Sequence, residues 1–351
     1  MAVPVLSEEY KALFPTSERR AKRLMERGEA KPYWRKGIFC ILLIRKESNK
    51  REEYKDVVVG IDTGSKREAY TVATEKSVVL NITTNTPEWV KESVETRRSL
   101  RRSRRQRKTP YRKCRSNRSK ITFIPPSTKA RGDCKLRILK ILTSILPITK
   151  INIEDVAAKT KKDSPKWNES FSPLEVGKNY LYNKIEEIYP NVVLIKTKGY
   201  DTKTHRDKRG FVKSKDKLNY IWEAHNVDSH SLCEMVLEKP ISPYYGIYRI
   251  DFLKYNRRQL HVQNPIKGNV RKKYGGTVSL SIPRGSVVKY KDKLAYVGGS
   301  SKGRLSIHSI ITGKRLSQNI NKKDLAMLNN NKYRTQFLPR LKSWVSLLRF
   351  S

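Results

Sequence analysis

Val57-Val58-Val59-Gly60-Ile61-Asp62 is an apolar run that ends on a carboxylate, and the tight-turn sequence Thr63-Gly64-Ser65 follows it. A short apolar run closed by a turn is what a buried β-strand requires. An acid at its carboxyl end stands where α/β sheets gather their functional residues. Tyr70 to Thr74 and Val78 to Thr83 read as the second and third strands. Ile151-Asn152-Ile153-Glu154-Asp155 repeats the pattern of apolar strand and terminal acid, and Val192 to Ile195 reads as a further strand. Helices are expected from about Pro87 to Arg107, from Glu175 to Tyr189 with an amphipathic face, and from Tyr220 to Val236. Residues 53 to about 245 therefore read as a central α/β unit.

Two smaller units flank it. In residues 1–52, Pro15-Thr16-Ser17-Glu18 reads as a helix start with Thr16 or Ser17 as N-cap, and Gly28 ends the helix. Ile38 to Ile44 is too apolar for a loop and reads as a strand. Together these suggest a small α+β domain. In residues 246–351, five short β runs are expected: Val278–Ile282, Ser286–Tyr290, Leu294–Val297, Leu305–Ile311 and Lys314–Ser317. Gly285, Gly298-Gly299, Gly303 and Gly313 punctuate them, a spacing that suggests a small β-barrel.

Asp62, Glu154 and Asp228 stand out by position. The first two end strands, and Asp228 lies near the start of a helix, three residues after His225. A lone acid after an apolar run is usually a turn or cap residue. Three in the order strand, strand, helix are far more specific. If they converge, they suit two hard divalent cations, one to activate a water and one to stabilise the leaving oxygen of a phosphodiester. Mg²⁺ fits carboxylate oxygens and keeps several waters, and Mn²⁺ is its expected substitute. His225 reads equally well as a water-orienting base or as a helix-face histidine bonded to a neighbour.

The charge decides the partner. Lys+Arg number 76 against 33 Asp+Glu, a formal net charge of +43 over 351 residues. Such a chain repels itself unless a polyanion neutralises it. No apolar run approaches the ~20 residues that span a bilayer, so a membrane is a poor candidate and nucleic acid the natural one. A short DNA footprint of roughly 6–10 phosphate contacts leaves most of this charge unmatched, so a large structured nucleic acid is expected; charge alone also fits a ribosomal or histone-like protein. Residues 97–118 concentrate the charge, with twelve of twenty-two being Arg or Lys. A helix charged on nearly every side cannot be a core element, but it becomes stable against an RNA backbone, where arginine pairs bidentately with phosphate. The RNA-binding candidates are Arg97, Arg98, Arg101, Arg102, Arg104, Arg105, Arg107, Lys108, Arg112, Arg115 and Arg118. Cys40, Cys114, Cys134 and Cys233 have no C-x-x-C spacing and read as free thiols of a reducing compartment. The amino terminus lacks the layout of a signal peptide. The expected place is the cytoplasm, with the nucleoid, or an organelle that encodes the protein.

These residues carry a family resemblance that spans nearly the whole chain. Gly60-Ile61-Asp62-Thr63-Gly64-Ser65-Lys66 resembles the first RuvC motif, Ile153-Glu154 the second, and His225-x-x-Asp228-Ser229 the third. The arginine run resembles the bridge helix of the transposon-encoded IscB and IsrB proteins, and Pro125-Pro126-Ser127 with Ala130-Arg131 resembles their next landmark. Ala12-Leu13-Phe14-Pro15-Thr16 looks like a diverged form of the Pro-Leu-Met-Pro segment that names their first domain. Glu154 and His225 stand too close for the inserted HNH nuclease of IscB. The interval instead resembles the IsrB linker, with Val176–Tyr180, Thr197–Thr202 and Lys213–Lys217. Arg257–His261, Gly275-Gly276 and Tyr296–Arg304 look like the IsrB region that contacts the target-adjacent motif.

The resemblance implies an RNase H-like (RuvC) nuclease core interrupted by an Arg-rich bridge helix. Its segments are a PLMP-like domain at 1–52, a first RuvC-like segment at 53–86, the bridge helix at 87–120, further RuvC-like segments and linker at 121–245, and a motif-interacting domain at 246–351. It implies an omega RNA as guide, a target duplex DNA with an adjacent motif, nicking of the displaced non-target strand, and a single protein copy in the ribonucleoprotein. Lys302 and Arg304 are the weaker candidates for contacting the DNA motif. An unguided junction resolvase of RNase H-like type and a non-catalytic RNA-binding transposon accessory protein are the competing readings.

Overall fold

The computed structural model describes residues 2–44, 56–108, 124–158, 172–252, 278–310, 312–329 and 333–339, apart from the side chains of Arg104, Arg105, Arg107 and Lys108. Arg112, Arg115, Arg118, Cys114, the Arg257–His261 stretch and Gly275-Gly276 lie outside the described residues. The chain divides into two compact units, one of Met1–Arg35, Phe39–Arg249 and Phe337–Ser351, the other of Lys36–Ile38 and Ile250–Gln336.

The first unit opens with β1 (Ala2–Leu6), β2 (Ala12–Ser17), α1 (Glu18–Glu26), β3 (Ala30–Arg35) and β4 (Ile38–Leu43), with sheet order β2-β1-β4-β3. Ser17 caps α1 by accepting from the Arg20 N–H, and Gly28 follows it with φ +70, the left-handed conformation that ends helices. Val3, Val5, Ala21, Phe39 and Ile41 form a local core there. β1, β2 and β3 were not expected from the sequence: Pro4, Pro15 and Pro32 interrupt the apolar alternation by which a strand is recognised.

The main sheet follows: β5 (Val57–Asp62), β6 (Arg67–Thr74), β7 (Val78–Asn85), α2 (Trp89–Lys108), α3 (Pro126–Thr143), β8 (Lys150–Asp155), α4 (Pro173–Ile188), β9 (Val193–Lys198), α5 (Gly199–Lys208), α6 (Trp222–Leu237) and β10 (Ile247–Phe252). The strand order runs β10-β7-β6-β5-β8-β9. β5, β6 and β7 form an antiparallel meander, while β8 and β9 run parallel to β5. The parallel half needs crossovers, and α3 precedes β8 as α4 precedes β9. β5 is central and buried along Val57 to Ile61, which explains why it reads as a continuous apolar run.

The second unit holds β11 (Val278–Ser279), β12 (Ile282–Pro283), β13 (Val287–Tyr290), β14 (Lys293–Ser301), β15 (Arg304–Ser309), β16 (Arg315–Ile320) and β17 (Ala326–Asn329). Its main sheet has the order β16-β15-β14-β13-β17, closed over Ile282, Val288, Ala295, Val297, Leu305, Ile307 and Ile320. Val278–Ile282, expected as one strand, is a tight hairpin instead. Leu280 and Ser281 adopt φ of +47 and +68 and reverse the chain. β18 (Tyr333–Leu338) is the last strand of the described residues.

Candidate active site and nucleic-acid interface

Strand parity puts two of the three acids on one face. Side chains alternate across a strand, so Val58, Gly60 and Asp62 share a face of β5. Gly60 lies opposite Asn152 in the parallel strand β8, and Ile61 opposite Ile153, so Asn152 and Glu154 share that face too. α6 covers it. A Cβ on Gly60 would fall 2.0 Å from the Ser229 carbonyl oxygen, so only glycine lets the helix backbone lie this close. The Gly60 N–H donates to Cys233 Sγ at 3.1 Å, and Asn152 Nδ2 donates to the Leu232 carbonyl at 3.0 Å. Asn226 Nδ2 reaches the Tyr70 and Ile82 carbonyls at 3.2 and 3.3 Å, and its Oδ1 accepts from Thr83 at 3.0 Å. Ser229 and Thr71 share a 2.8 Å hydroxyl contact. These bonds fix the rotation of α6, and with it the direction of Asp228.

Asp62, Glu154 and Asp228 meet. The Asp62 carboxyl is half-buried and faces both Glu154 and Asp228. Burial, with the two neighbouring acids, raises its pKa to about 8 against the opposing pull of Lys213. Thr63 Oγ1 donates to the Glu154 carbonyl at 3.2 Å. Gly199, the first residue of α5, leaves room for the Glu154 carboxylate, since a Cβ there would fall 2.7 Å from Oε1.

Two cations that sequence reasoning missed complete the cluster. Arg206 Nη1 donates to Asp228 Oδ1 at 2.8 Å. Lys213 Nζ bonds the other Asp228 oxygen and stands 3.8 Å from Asp62 Oδ2. Nothing in spacing marks these two among 76 basic residues. Among the described residues, no three Asp, Glu, His or Cys side chains close on one point as metal ligands do; Asp228 is engaged by its cations instead. The donor set nevertheless suits a hard divalent cation. Three carboxylates stand within electrostatic reach of one another, burial and then the other two raise one toward the neutral form, and a lysine ammonium bridges a pair of them.

His225 is placed differently. Its Nε2 lies 3.1 Å from Arg67 Nη1 and 3.0 Å from the Asn219 carbonyl oxygen. Burial first and then Arg67 lower its pKa, favouring the neutral ring. Tyr220, beside it, has the Arg67 guanidinium 4.3 Å and the Arg249 guanidinium 4.1 Å from its ring centre.

In α2, Arg97, Arg98, Arg101 and Arg102 are exposed. The side chains of Arg104, Arg105, Arg107 and Lys108 lie outside the described set. In the second unit, Lys302 and Gly303 form the β14–β15 turn, with Lys302 at φ +47, and Lys302 and Arg304 are exposed. Arg304 bonds Asn321. Asn321, Gly303, Lys322 and Lys323 help line an open cavity of about 590 Å³.

Residues 3–168 match the family described as RRXRR protein. The match spans just under half of the chain and takes in Asp62, the arginine run and Glu154, but stops short of Arg206, Lys213 and Asp228. No curated protein matches the chain.

Proposed function

We propose that this chain is an omega-RNA-guided DNA endonuclease of the IsrB kind, a nickase that cuts the displaced strand of a target duplex at a single RuvC-like centre. The observation that carries the reading is the meeting of Asp62, Glu154 and Asp228 at one end of a sheet whose meander-plus-two-parallel strand order suits an RNase H-like core. The exposed arginines of α2, in a chain of net charge +43, and the match over residues 3–168 support the nucleic-acid part.

Asp62, Glu154 and Asp228 are the residues that would hold Mg²⁺. When bound there, the ions supply Lewis-acid stabilisation of charge on the phosphodiester oxygens and a more acidic water. The chain's own contribution is preorganisation. α6 holds Asp228 at a fixed height over the sheet, and Gly60 and Gly199 remove the Cβ atoms that would block the helix and the Glu154 carboxylate. Neutral His225, held between Arg67 and Asn219, can accept a proton at a ring nitrogen. With guides read by base pairing, the protein's share of recognition is backbone shape and a short motif, and α2 with the second unit are the surfaces offered for these.

The test is purification of the chain with its bound RNA, sequencing of that RNA, and a nicking assay on a duplex matching the guide. Guide-dependent nicking of one strand is expected. Cutting without RNA would favour the junction-resolvase reading. RNA binding without cutting would favour the accessory-protein reading.

A further inference from the structure

The two cations on Asp228 are anchored very differently. Arg206 belongs to the regular helix α5, and one turn later Arg209 clasps the buried Glu234 of α6 with two bonds of 3.0 and 3.1 Å. Glu234 also accepts the Ile241 N–H at 2.7 Å. Arg206 is therefore held in place by the packing of α5 on α6. Lys213 comes from the irregular segment 211–221 that joins α5 to α6. Phe211 pins its start against Trp222 and His230, and the Ser214 N–H donates to the Glu223 carbonyl at 2.8 Å. At its far end Tyr220 lies between Arg67 and Arg249 and donates to Asn85 at 2.9 Å, and the Asn219 carbonyl meets His225. Between these ends the segment buries little. Val212 is 79% and Leu218 83% exposed, and a segment with few buried apolar contacts opens at low cost.

We propose that Lys213 is a built-in, displaceable counter-ion. Its ammonium bridges Asp62 and Asp228 while the carboxylates lack a metal, and it must leave for a divalent cation to enter. Arg206 stays. This rests on the metal-site reading above. Three carboxylates packed together repel one another, and an ammonium within hydrogen-bond reach of one and 3.8 Å of another relieves that repulsion. The same position makes the ammonium a competitor of the ion the site would take. Lys213 thus lowers metal affinity and guards against a loose, half-charged cluster before the metal arrives.

The test is Mn²⁺ binding to the intact chain, read from the electron paramagnetic resonance signal of free Mn²⁺. Lys213→Met keeps the apolar stem and removes the charge, and it is expected to tighten binding by roughly tenfold. Lys213→Arg is expected to stay near wild type, and Asp62→Asn to lose the site. A second measurement needs no variant: acetylation of Lys213 by an amine-reactive reagent, followed by peptide mass spectrometry, is expected to rise several-fold when Mn²⁺ is added. Unchanged or weaker Mn²⁺ binding by Lys213→Met, or acetylation indifferent to Mn²⁺ that does bind, overturns the counter-ion role alone. Absence of any Mn²⁺ site sensitive to Asp62→Asn overturns the metal reading and this inference together.

Discussion

α6 and α2 are both rich in polar residues, yet one is almost wholly buried and the other mostly exposed. In α6, Asn226, Ser229 and Asp228 are buried, and each finds a partner within the protein: strand carbonyls, a threonine hydroxyl, two cations. In α2, Arg97, Arg98, Arg101 and Arg102 are exposed. A buried polar group is stable only when satisfied, so α6 is specified by the fold. A helix face of adjacent arginines repels itself, and the partner that would relieve it is a polyanion. On the proposed function α6 serves chemistry and α2 binding, and changes on the two helices are expected to separate accordingly.

The largest expected effect is on chemistry. Asp62→Ala, Glu154→Ala or Asp228→Ala should each lower Mg²⁺-dependent nicking by at least about a hundredfold, with RNA affinity retained in a filter-binding assay. On α2, replacing Arg97, Arg98, Arg101 and Arg102 with Ala should do the reverse. RNA binding weakens, each lost phosphate contact lowers the log–log salt slope by roughly 0.7–0.9, and the melting temperature holds. An unchanged slope would mean these arginines face solvent in the complex.

Smaller effects probe the seat of α6. Gly60→Val forces a side chain into the Ser229 carbonyl and should cost about 1–3 kcal/mol of stability in a denaturant melt. Such a loss should reach nicking as well, because Asp228 rides on the same helix. The smallest expected effect is a pH dependence. The folded pKa of Asp62, raised to about 8, lies above its ordinary value of 3.8. In metal-free protein the folded state therefore binds the extra proton, and stability falls as pH rises from about 4 to about 8. Asp62→Asn should flatten that slope in thermal melts, and added Mn²⁺ should oppose it.

The sequence made the central strands readable because β5 and β8 are buried on both faces and end in acids; apolar runs with terminal carboxylates survive as pattern. The α6 register was readable from the His225-x-x-Asp228 spacing. Helix α3 escaped notice, its apolar residues being interrupted by Lys129, Arg131, Lys135, Arg137 and Lys140, one of which pairs with buried Glu68 at 2.6 Å. α5 was hidden for a similar reason: it buries Thr202 and no apolar stripe, and one of its arginines, Arg206, faces Asp228. Arg206 and Lys213 could not be singled out because their importance is a property of where α5 and the 211–221 segment fall in space. Parity and register predict which strand residues share a face; they do not tell which of many lysines a loop delivers to it.

Anomalous diffraction from crystals of the chain soaked in Mn²⁺ would bring the carboxylate cluster to trial. A strong peak within bonding distance of Asp62, Glu154 and Asp228, with Lys213 drawn away from it, is the result expected. Manganese bound only elsewhere, with Lys213 still on Asp228 at saturating Mn²⁺, would contradict a nuclease centre at this end of the sheet.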